Sequence, residues 1–442
     1  MTDLPAGWRM LTPHEIAGES RQALVIGPFG SNLKTVDYRS EGIPLVFVRD
    51  IRGGDFSKPR TFVSPEKAEE LKAYHATPGD VLITKMGAPP GDAAVYSGAG
   101  PAVITADCIR LRPALGFDAR YVAHAMHSPD VRAQISVITS GVAHQKVSLD
   151  RFRHKVRIPI PPLLEQKRIL RVLEGYLSRL DAGVGYLDAC SRRARALAKS
   201  VLFDLVPDVK DYPSHWESST VGEAGLVELG RQRRPDWHSG PNMRPYLRVA
   251  NVFEDRIDIS SLMEMHWPEE TFERFRLHPG DVLLNEGQSP EWLGRPAIYR
   301  GIPEKVAFTN SLLRFKAREG VLPEFALLVF RRHMHAGRFA RESRITTNIA
   351  HLSATRLKKI EFPVPPLEEQ LRIIETADTK LTAVKQLEAE IAVARRKATS
   401  LRRSLLAAAF SGRLTGAASD VEQVEEIAAD IVEAWAPEGL LV

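Results

Sequence analysis

The chain repeats one phrase. From Ile158 to Leu170 it reads IPIPPLLEQKRIL, and from Phe362 to Ile374 it reads FPVPPLEEQLRII. In each copy prolines interrupt an apolar run and a charged, helix-like stretch follows at once. Other phrases pair in the same order: TPGDVLITKMG from Thr77 with HPGDVLLNEG from His278, AAVYSG from Ala93 with PAIYRG from Pro296, and ITADCIRL from Ile104 with FTNSLLRF from Phe308. IPLVFVRDI from Ile43 pairs with RPYLRVANV from Arg244, and GVAHQKVSL from Gly141 more loosely with NIAHLSATRL from Asn348. The openings LPAGWRML and YPSHWESS agree too, and every offset falls between about 200 and 210 residues. Chance does not keep such an order. A period this long means two similar domains, because solenoid repeats run to ~20–50 residues.

Each copy begins with about 160 residues of short β-branched and aromatic runs broken by Gly and Pro, such as IPLVFVRDI, GDVLIT, AVITADCIRL and PYLRVANV. These read as strands. Helical patches lie around YVAHAMHS and EFALLVFRRHMHAG, so each head reads as an α+β domain. Length alone sets two to four domains.

The second part of each copy starts at the double proline. Pro161-Pro162 and Pro365-Pro366 have no N–H to give to a sheet and suit a helix start, where that donor is an orphan anyway. Glu165, and Glu368 with Glu369, then fall in the first turn, where the helix dipole favours negative charge. Coiled-coil spacing follows. The first seam runs Leu173, Leu177, Leu180, Val184, Leu187, Ser191, Ala194, Ala198, Val201, Leu205, with steps alternating four and three. The second runs Ala377, Leu381, Val384, Ile391, Ala394, Ala398, Leu401, Leu405, Ala408. Glu388 stands at its missing position and Leu387 beside it, which raises a local stutter. Gly183 and Gly185 weaken the first helix by ~1 kcal/mol each relative to Ala, and suggest a bend or a close helix approach. Helices of 40–45 residues are roughly 60–67 Å long and cannot bury their stripes alone. The expected architecture is α+β heads at 1–160 and 207–364, spacer helices at 161–206 and 365–412, and an acidic tail at 413–442. The two helices are expected to pair as an antiparallel coiled coil with pseudo-twofold symmetry.

The net charge of +5 understates the basic body. From Thr415 to Val442 there are 7 acidic residues and no Lys or Arg, which leaves 60 basic against 48 acidic in the rest. Such a surplus suits a polyanion, and equally an ordinary soluble protein of basic pI. The first residues hold no apolar run of the signal-peptide kind, and no stretch approaches ~18 apolar residues. Cys108 and Cys190 form no CxxC pattern, so neither a disulfide framework nor a cysteine-rich zinc site is expected, and a cytoplasmic setting is.

A search for chemistry finds little. No GxGxxG follows a strand, no GxxxxGK[ST] or HExxH exists, and no Asn/Asp-Pro-Pro-aromatic tetrapeptide is present. His333 and His335 read as helix-surface residues rather than metal ligands. Asp80 and Lys85, at a strand end, have the residue types of a Mg-dependent nuclease, but the second copy keeps Asp281 and replaces the lysine by Glu286. The persistent Pro-Gly-Asp reads as a turn into a buried strand. Arg168, Arg171, Arg179, Arg192, Arg193, Arg195 and Lys199 read as a solvated helix face.

The copies differ most in two loops: RGGDFSKPR against FEDRIDISS, and TKMGAPPGD against NEGQSPEWLGRP. These carry Arg52, Lys58, Lys85, Asn285, Glu286, Gln288 and Arg295, groups able to read base edges, although ordinary loop drift gives the same pattern. His144 and His351 recur at matching places, and with their neighbours Gln145, Lys146 and Asn348 they join them as candidate DNA contacts. His144 and His351 lack a nearby nucleophile or carboxylate array and read otherwise as packing residues.

With two variable heads, each ending in (I/F)P(I/V)PP-L-x-EQ-x-R-I and a long helix, plus PGDVL and LLAAAFSGRLTG, the chain resembles the specificity subunit of type I restriction-modification systems. The resemblance covers about Leu4 to Gly412 and leaves the acidic tail outside. It implies two target-recognition domains that read the halves of a split DNA sequence, and helices that set the gap. It implies docking of two methyltransferase subunits and of ATP-dependent translocase/nuclease subunits, here around Leu163, Glu165, Gln166, Arg168, Leu367, Glu369, Gln370 and Arg372. S-adenosylmethionine, ATP and Mg would belong to those partners, with no cofactor and no catalytic residue on this chain. The competing readings are a self-contained DNA-modifying enzyme and a tandem-repeat scaffold that tethers proteins; an orphan specificity protein without a nuclease partner is a third.

Overall fold

Pro162 and Pro366 each stand one residue before a long helix, and their carbonyls accept its first amides. Glu165 and Gln166 donate to Pro162 at 2.9 and 3.0 Å, Glu369 and Gln370 to Pro366 at 2.9 and 3.0 Å. The helices run Leu163–Leu205 and Leu367–Phe410, 43 and 44 residues. The structure is a computed structural model and describes residues 4–141, 145–346 and 349–415. The acidic tail beyond Thr415 lies outside the described residues.

The chain forms two units. Unit 1 holds the residues up to Leu187 together with those from Val393, and unit 2 holds Asp188–Ala392. Each unit therefore owns one head and half of each long helix. In unit 1, Ile169, Leu170, Leu173 and Leu177 near the start of the first helix share a core with Leu405, Leu406, Ala409 and Phe410 near the end of the second. In unit 2, Val201 and Leu202 near the end of the first helix share a core with Ile373, Ala377 and Leu381 near the start of the second. Start meets end in both, so the pairing is antiparallel. Each buried leucine contributes ~1.5–3 kcal/mol.

Every expected seam residue is buried or half-buried. There is no stutter at Leu387, whose side chain is exposed. Glu388 holds the seam position, with its Oε1 3.7 Å from Arg195 Nε. A polar residue at such a position fixes register at some cost in stability. The first helix passes unbroken through Gly183 and Gly185, and a Cβ at Gly185 would meet nothing within 4 Å, so Gly185 marks no close approach.

The heads share a topology. In unit 1 an antiparallel sheet has the order Leu24–Ile26, Cys108–Leu111, Val81–Thr84, Ala93–Val95; in unit 2 the order is Gly225–Leu229, Leu312–Ala317, Val282–Asn285, Pro296–Ile298. A second sheet in each pairs Ile43–Val46 in parallel with Ala102–Ile104, and Met243–Leu247 with Ala307–Phe308. The Pro-Gly-Asp turns are structural. Asp80 is buried, accepts the Thr77 amide at 2.8 Å, and takes two bonds from Arg112 at 2.7 Å each. Asp281 accepts the His278 amide at 3.0 Å.

Two further expectations fail. IPLVFVRDI is a strand only over Ile43–Val46; Val48–Gly53 is a helix, because the Asp50 carboxylate accepts the Phe47 amide at 2.8 Å and opens a turn. Asn251 does the same for Arg248 at 3.1 Å. His333 is not a surface residue. It is fully buried, its Nε2 lies 2.9 Å from the Glu361 carbonyl, and the helix Pro323–His335 that carries it is buried around most of its circumference.

Candidate nucleic-acid interface

In unit 1 the strand Val81–Thr84 delivers Lys85 to the head of a loop. The Lys85 amide donates to the Asp107 carbonyl at 2.7 Å, and its own carbonyl accepts the Val147 amide at 3.0 Å. Its Nζ sits 4.4 Å above the centre of the Phe29 ring. Burial pulls the Lys85 ammonium below the ordinary lysine range, Asp107 opposes this, and Lys146 adds to it. The Gly87 amide donates to the Gln145 carbonyl at 3.2 Å, and Met86 bridges to Lys146. Arg52, from the helix Val48–Gly53, closes the other side: Nε donates to Asp92 at 2.8 Å and Nη2 to the Pro89 carbonyl at 3.1 Å. The Thr84 hydroxyl accepts the Gly91 and Asp92 amides at 3.0 and 2.9 Å and draws the loop shut.

Arg52, Lys85, Gln145 and Lys146 thus gather around one loop. Lys58 stands apart, exposed, where its charge helps lower the Asp55 carboxyl after the hydrogen bonds from Ser57. His144 lies outside the described residues.

Unit 2 builds the same place from different groups. The Glu286 amide donates to the Ser311 carbonyl at 3.0 Å, and Glu286 Oε2 lies 3.2 Å from His351 Nδ1. Gly287 and Gln288 pair with His351 and Ala350 in a short antiparallel ladder. Asn285 is fully buried beneath, and neither its Oδ1 nor its Nδ2 finds a hydrogen-bond partner. Arg295 turns to the side: Nε donates to the Val252 carbonyl at 3.0 Å, and the guanidinium lies 4.7 Å from the Phe253 ring centre. Glu286, Gln288 and His351 are therefore brought together, Arg295 packs beside them, and Asn348 lies outside the described residues.

The junction residues divide. Gln166 and Gln370 are buried and bond inward within their own units. Leu163, Arg168, Leu367 and Arg372 are exposed. Glu165 accepts a hydrogen bond from the Thr415 hydroxyl, and Glu369 lies 2.8 Å from His215 Nε2. Sequence reading missed Phe29 in unit 1, and Arg231 and Trp237 in unit 2. Aligning the glycines of LVIGPFG and LVELGRQRR would have exposed that loop.

Among the described residues no three His, Cys, Asp or Glu side chains gather as a metal site would, and no helix is long and apolar enough to cross a membrane.

The family described as type I restriction modification DNA specificity domain matches residues 46–183 and 213–392. The chain is 23% identical over 430 residues to the type I restriction enzyme EcoKI specificity subunit of Escherichia coli (strain K12), covering 93% of this chain and 90% of that one. It is 22% identical over 430 residues to the StySPI specificity subunit of Salmonella potsdam, with the same coverage. Among solved structures, a chain from work on complex assembly and conformational transition of the type I R-M system superposes with a TM-score of 0.73 at 18% identity, covering 94% of this chain and 100% of that one. The HsdS subunit from Thermoanaerobacter tengcongensis superposes with a TM-score of 0.52 at 18% identity, covering 93% and 98%.

Proposed function

Because the chain belongs to the type I restriction modification DNA specificity family, we propose that it is the target-reading subunit of a type I restriction-modification complex, with one DNA-recognition head for each half of a split sequence. One observation carries this reading. The same strand end in two heads of one topology carries Lys85, with Arg52, Gln145 and Lys146 brought beside it, in unit 1, and Glu286 and Gln288, with His351 brought beside them, in unit 2. Cations suit guanine edges, a glutamine suits adenine, and a carboxylate accepts from the cytosine amino group. A shared scaffold with opposed loop charge suits two readers of unlike half-sites. Other basic side chains on the heads supply salt-dependent phosphate affinity, and the loops choose the bases.

The long helices serve as the spacer that sets the gap between half-sites. The exposed Leu163, Arg168, Leu367 and Arg372 begin the surface on which two methyltransferase subunits and the translocase/nuclease subunits dock. S-adenosylmethionine, ATP and Mg enter with those partners, and this chain supplies the address without a catalytic group. The test is co-expression with the methyltransferase subunit, followed by sequencing of modified adenines. A two-part motif with a fixed gap is expected. Methylation or cleavage by the purified chain alone, or modification with no two-part motif, overturns the reading.

A further inference from the structure

A third loop borders each reading site. Gly27 and Gly230 end the first strand of the main sheet in their units, and each amide donates to the neighbouring strand, to Cys108 at 3.2 Å and to Leu312 at 3.1 Å. A side chain at either glycine would overlap the carbonyl of Thr105 or Thr309, so both backbones are pressed against the same turn. The loops that follow start from one point of a shared scaffold. They lie next to the reading groups. In unit 1, Lys85 rests on Phe29. In unit 2, Asn310 donates to the Arg231 carbonyl at 3.0 Å, and the next residue, Ser311, accepts from Glu286.

After the glycine the two sequences part: PFGSNLK in unit 1, RQRRPDWHS in unit 2. In unit 1 the tip offers an aromatic face, with Phe29 57% exposed. In unit 2 the loop is clamped at its ends. The Arg231 guanidinium lies 3.6 Å from the centre of the Trp237 ring and 4.9 Å from that of Trp267, and Nη1 donates to the His266 carbonyl at 2.9 Å. Arginine over indole is a favourable pairing of a cation with a ring quadrupole. The clamp holds the intervening residues out. Gln232 and Arg233 are exposed, and among the described residues Arg233 makes no ion pair. Arg234 turns back towards Trp237 and Asp236.

We propose that Gln232 and Arg233 form a base-reading arm for the half-site of unit 2, with Arg231 and Trp237 as its positioning residues. This rests on the reading of unit 2 as a DNA-recognition head. A guanidinium with its planar fork unpaired matches guanine O6 and N7, and the glutamine amide matches adenine N6 and N7. Phosphates are the same in both half-sites, so a loop that gripped only phosphate would keep its cations in both copies. Here the matching loop of unit 1 has no cation before Lys34.

The experiment uses the full chain with its methyltransferase partner and a duplex library randomised in each half-site in turn, for the parent, Gln232→Ala, Arg233→Ala, Trp237→Ala and Trp237→Phe. Arg233→Ala is expected to lower discrimination at one position of the unit 2 half-site on the order of 10- to 100-fold, with the unit 1 half-site unchanged. Trp237→Ala relaxes the same position and Trp237→Phe restores it, which general loss of stability would not do. Uniform weakening across all sequences, with a shallower salt dependence, makes Arg233 a phosphate grip and overturns the arm. So does an unchanged preference at every position. A parent complex without any sequence preference removes the recognition reading itself, and is told apart because no variant is needed to see it.

Discussion

The amide of Asp118 donates to Gln166 Oε1 at 2.9 Å, tying a head loop of unit 1 to the first turn of a long helix. The same glutamine gives its Nε2 to the carbonyls of Pro161 at 2.9 Å and Gly116 at 3.2 Å. Gln370 repeats the arrangement in unit 2, accepting from Leu322 at 2.8 Å and donating to Pro365 and Gly320, both at 2.8 Å. The duplicated EQ of the junction phrase is thus a fastening in which every polar atom of the amide is matched.

Replacing Gln166 or Gln370 by Ala leaves a half-buried amide and the buried carbonyl of Pro161 or Pro365 unmatched, at about 1–3 kcal/mol for each such group. Each variant is expected to lose roughly 2–4 kcal/mol of stability in urea titration. Gln166→Glu should fare no better, because a carboxylate then faces two carbonyl oxygens. An unchanged midpoint for Gln166→Ala would show that the fastening contributes nothing.

Acid should lower the stability of unit 2 over two successive pH windows. Burial pushes the His333 imidazole down to about 4 from an ordinary 6.5. The unfolded chain therefore takes up that proton first, and stability falls as pH drops from 6.5 to about 4. Burial alone would raise Glu254, but the hydrogen bond from His335 and the charge of Arg331 outweigh it and hold the carboxyl at about 2 against an ordinary 4.5. Its contribution is complete above pH 4.5 and is lost towards pH 2; its size is on the order of 3 kcal/mol. Glu254→Gln should shrink the lower window, to which Asp208 and Glu361, also held low, still contribute, and leave the upper one, as read by denaturation midpoints across pH.

Lys85→Met should relax the half-site read by unit 1 and spare that of unit 2. A loss of discrimination on the order of 10-fold at one base position is expected in methylation maps. Equal relaxation of both halves would place Lys85 outside base reading.

Seven residues added to each long helix keep the heptad phase and lengthen each by ~10 Å. At 3.4 Å per base pair, the gap between half-sites should widen by ~3 bp while both half-sites stay as they were. Altered half-sites across an unaltered gap would remove the helices from the role of spacer.

The duplication, the strand-rich heads and the antiparallel seam were legible because they rest on periodicity and order, which the chain states outright. Glu388 stood out as the interruption of the seam, but its ion pair with Arg195 and the exposure of Leu387 depend on which neighbour fills the space. The turn after Val46 was missed because the apolar run continues through Phe47 and Val48, and the deciding contact is one carboxylate folding back on one amide. His333 was misplaced because its companions His335 and Arg332 suggest a wet face; only the packing of the helix Pro323–His335 shows otherwise. Among the reading groups, residue type was visible and direction was not. Gln166 and Gln370 resemble surface residues in sequence and turn inward, while Arg231 and Trp237 become conspicuous only when their loop is folded.

Unit 1 is assembled from both sides of unit 2 in the chain: Tyr121 of its head packs on Phe410 at 5.0 Å between ring centres, and Leu414 lies in the same core. A ribosome makes that head early and its closing residues only after all of unit 2 has emerged. The first head must wait, open along one side, through more than 200 residues of synthesis. Release of the nascent chain just after Ala392 would take Leu405, Leu406, Ala409, Phe410 and Leu414 from the core of the part translated first and leave the part translated last whole.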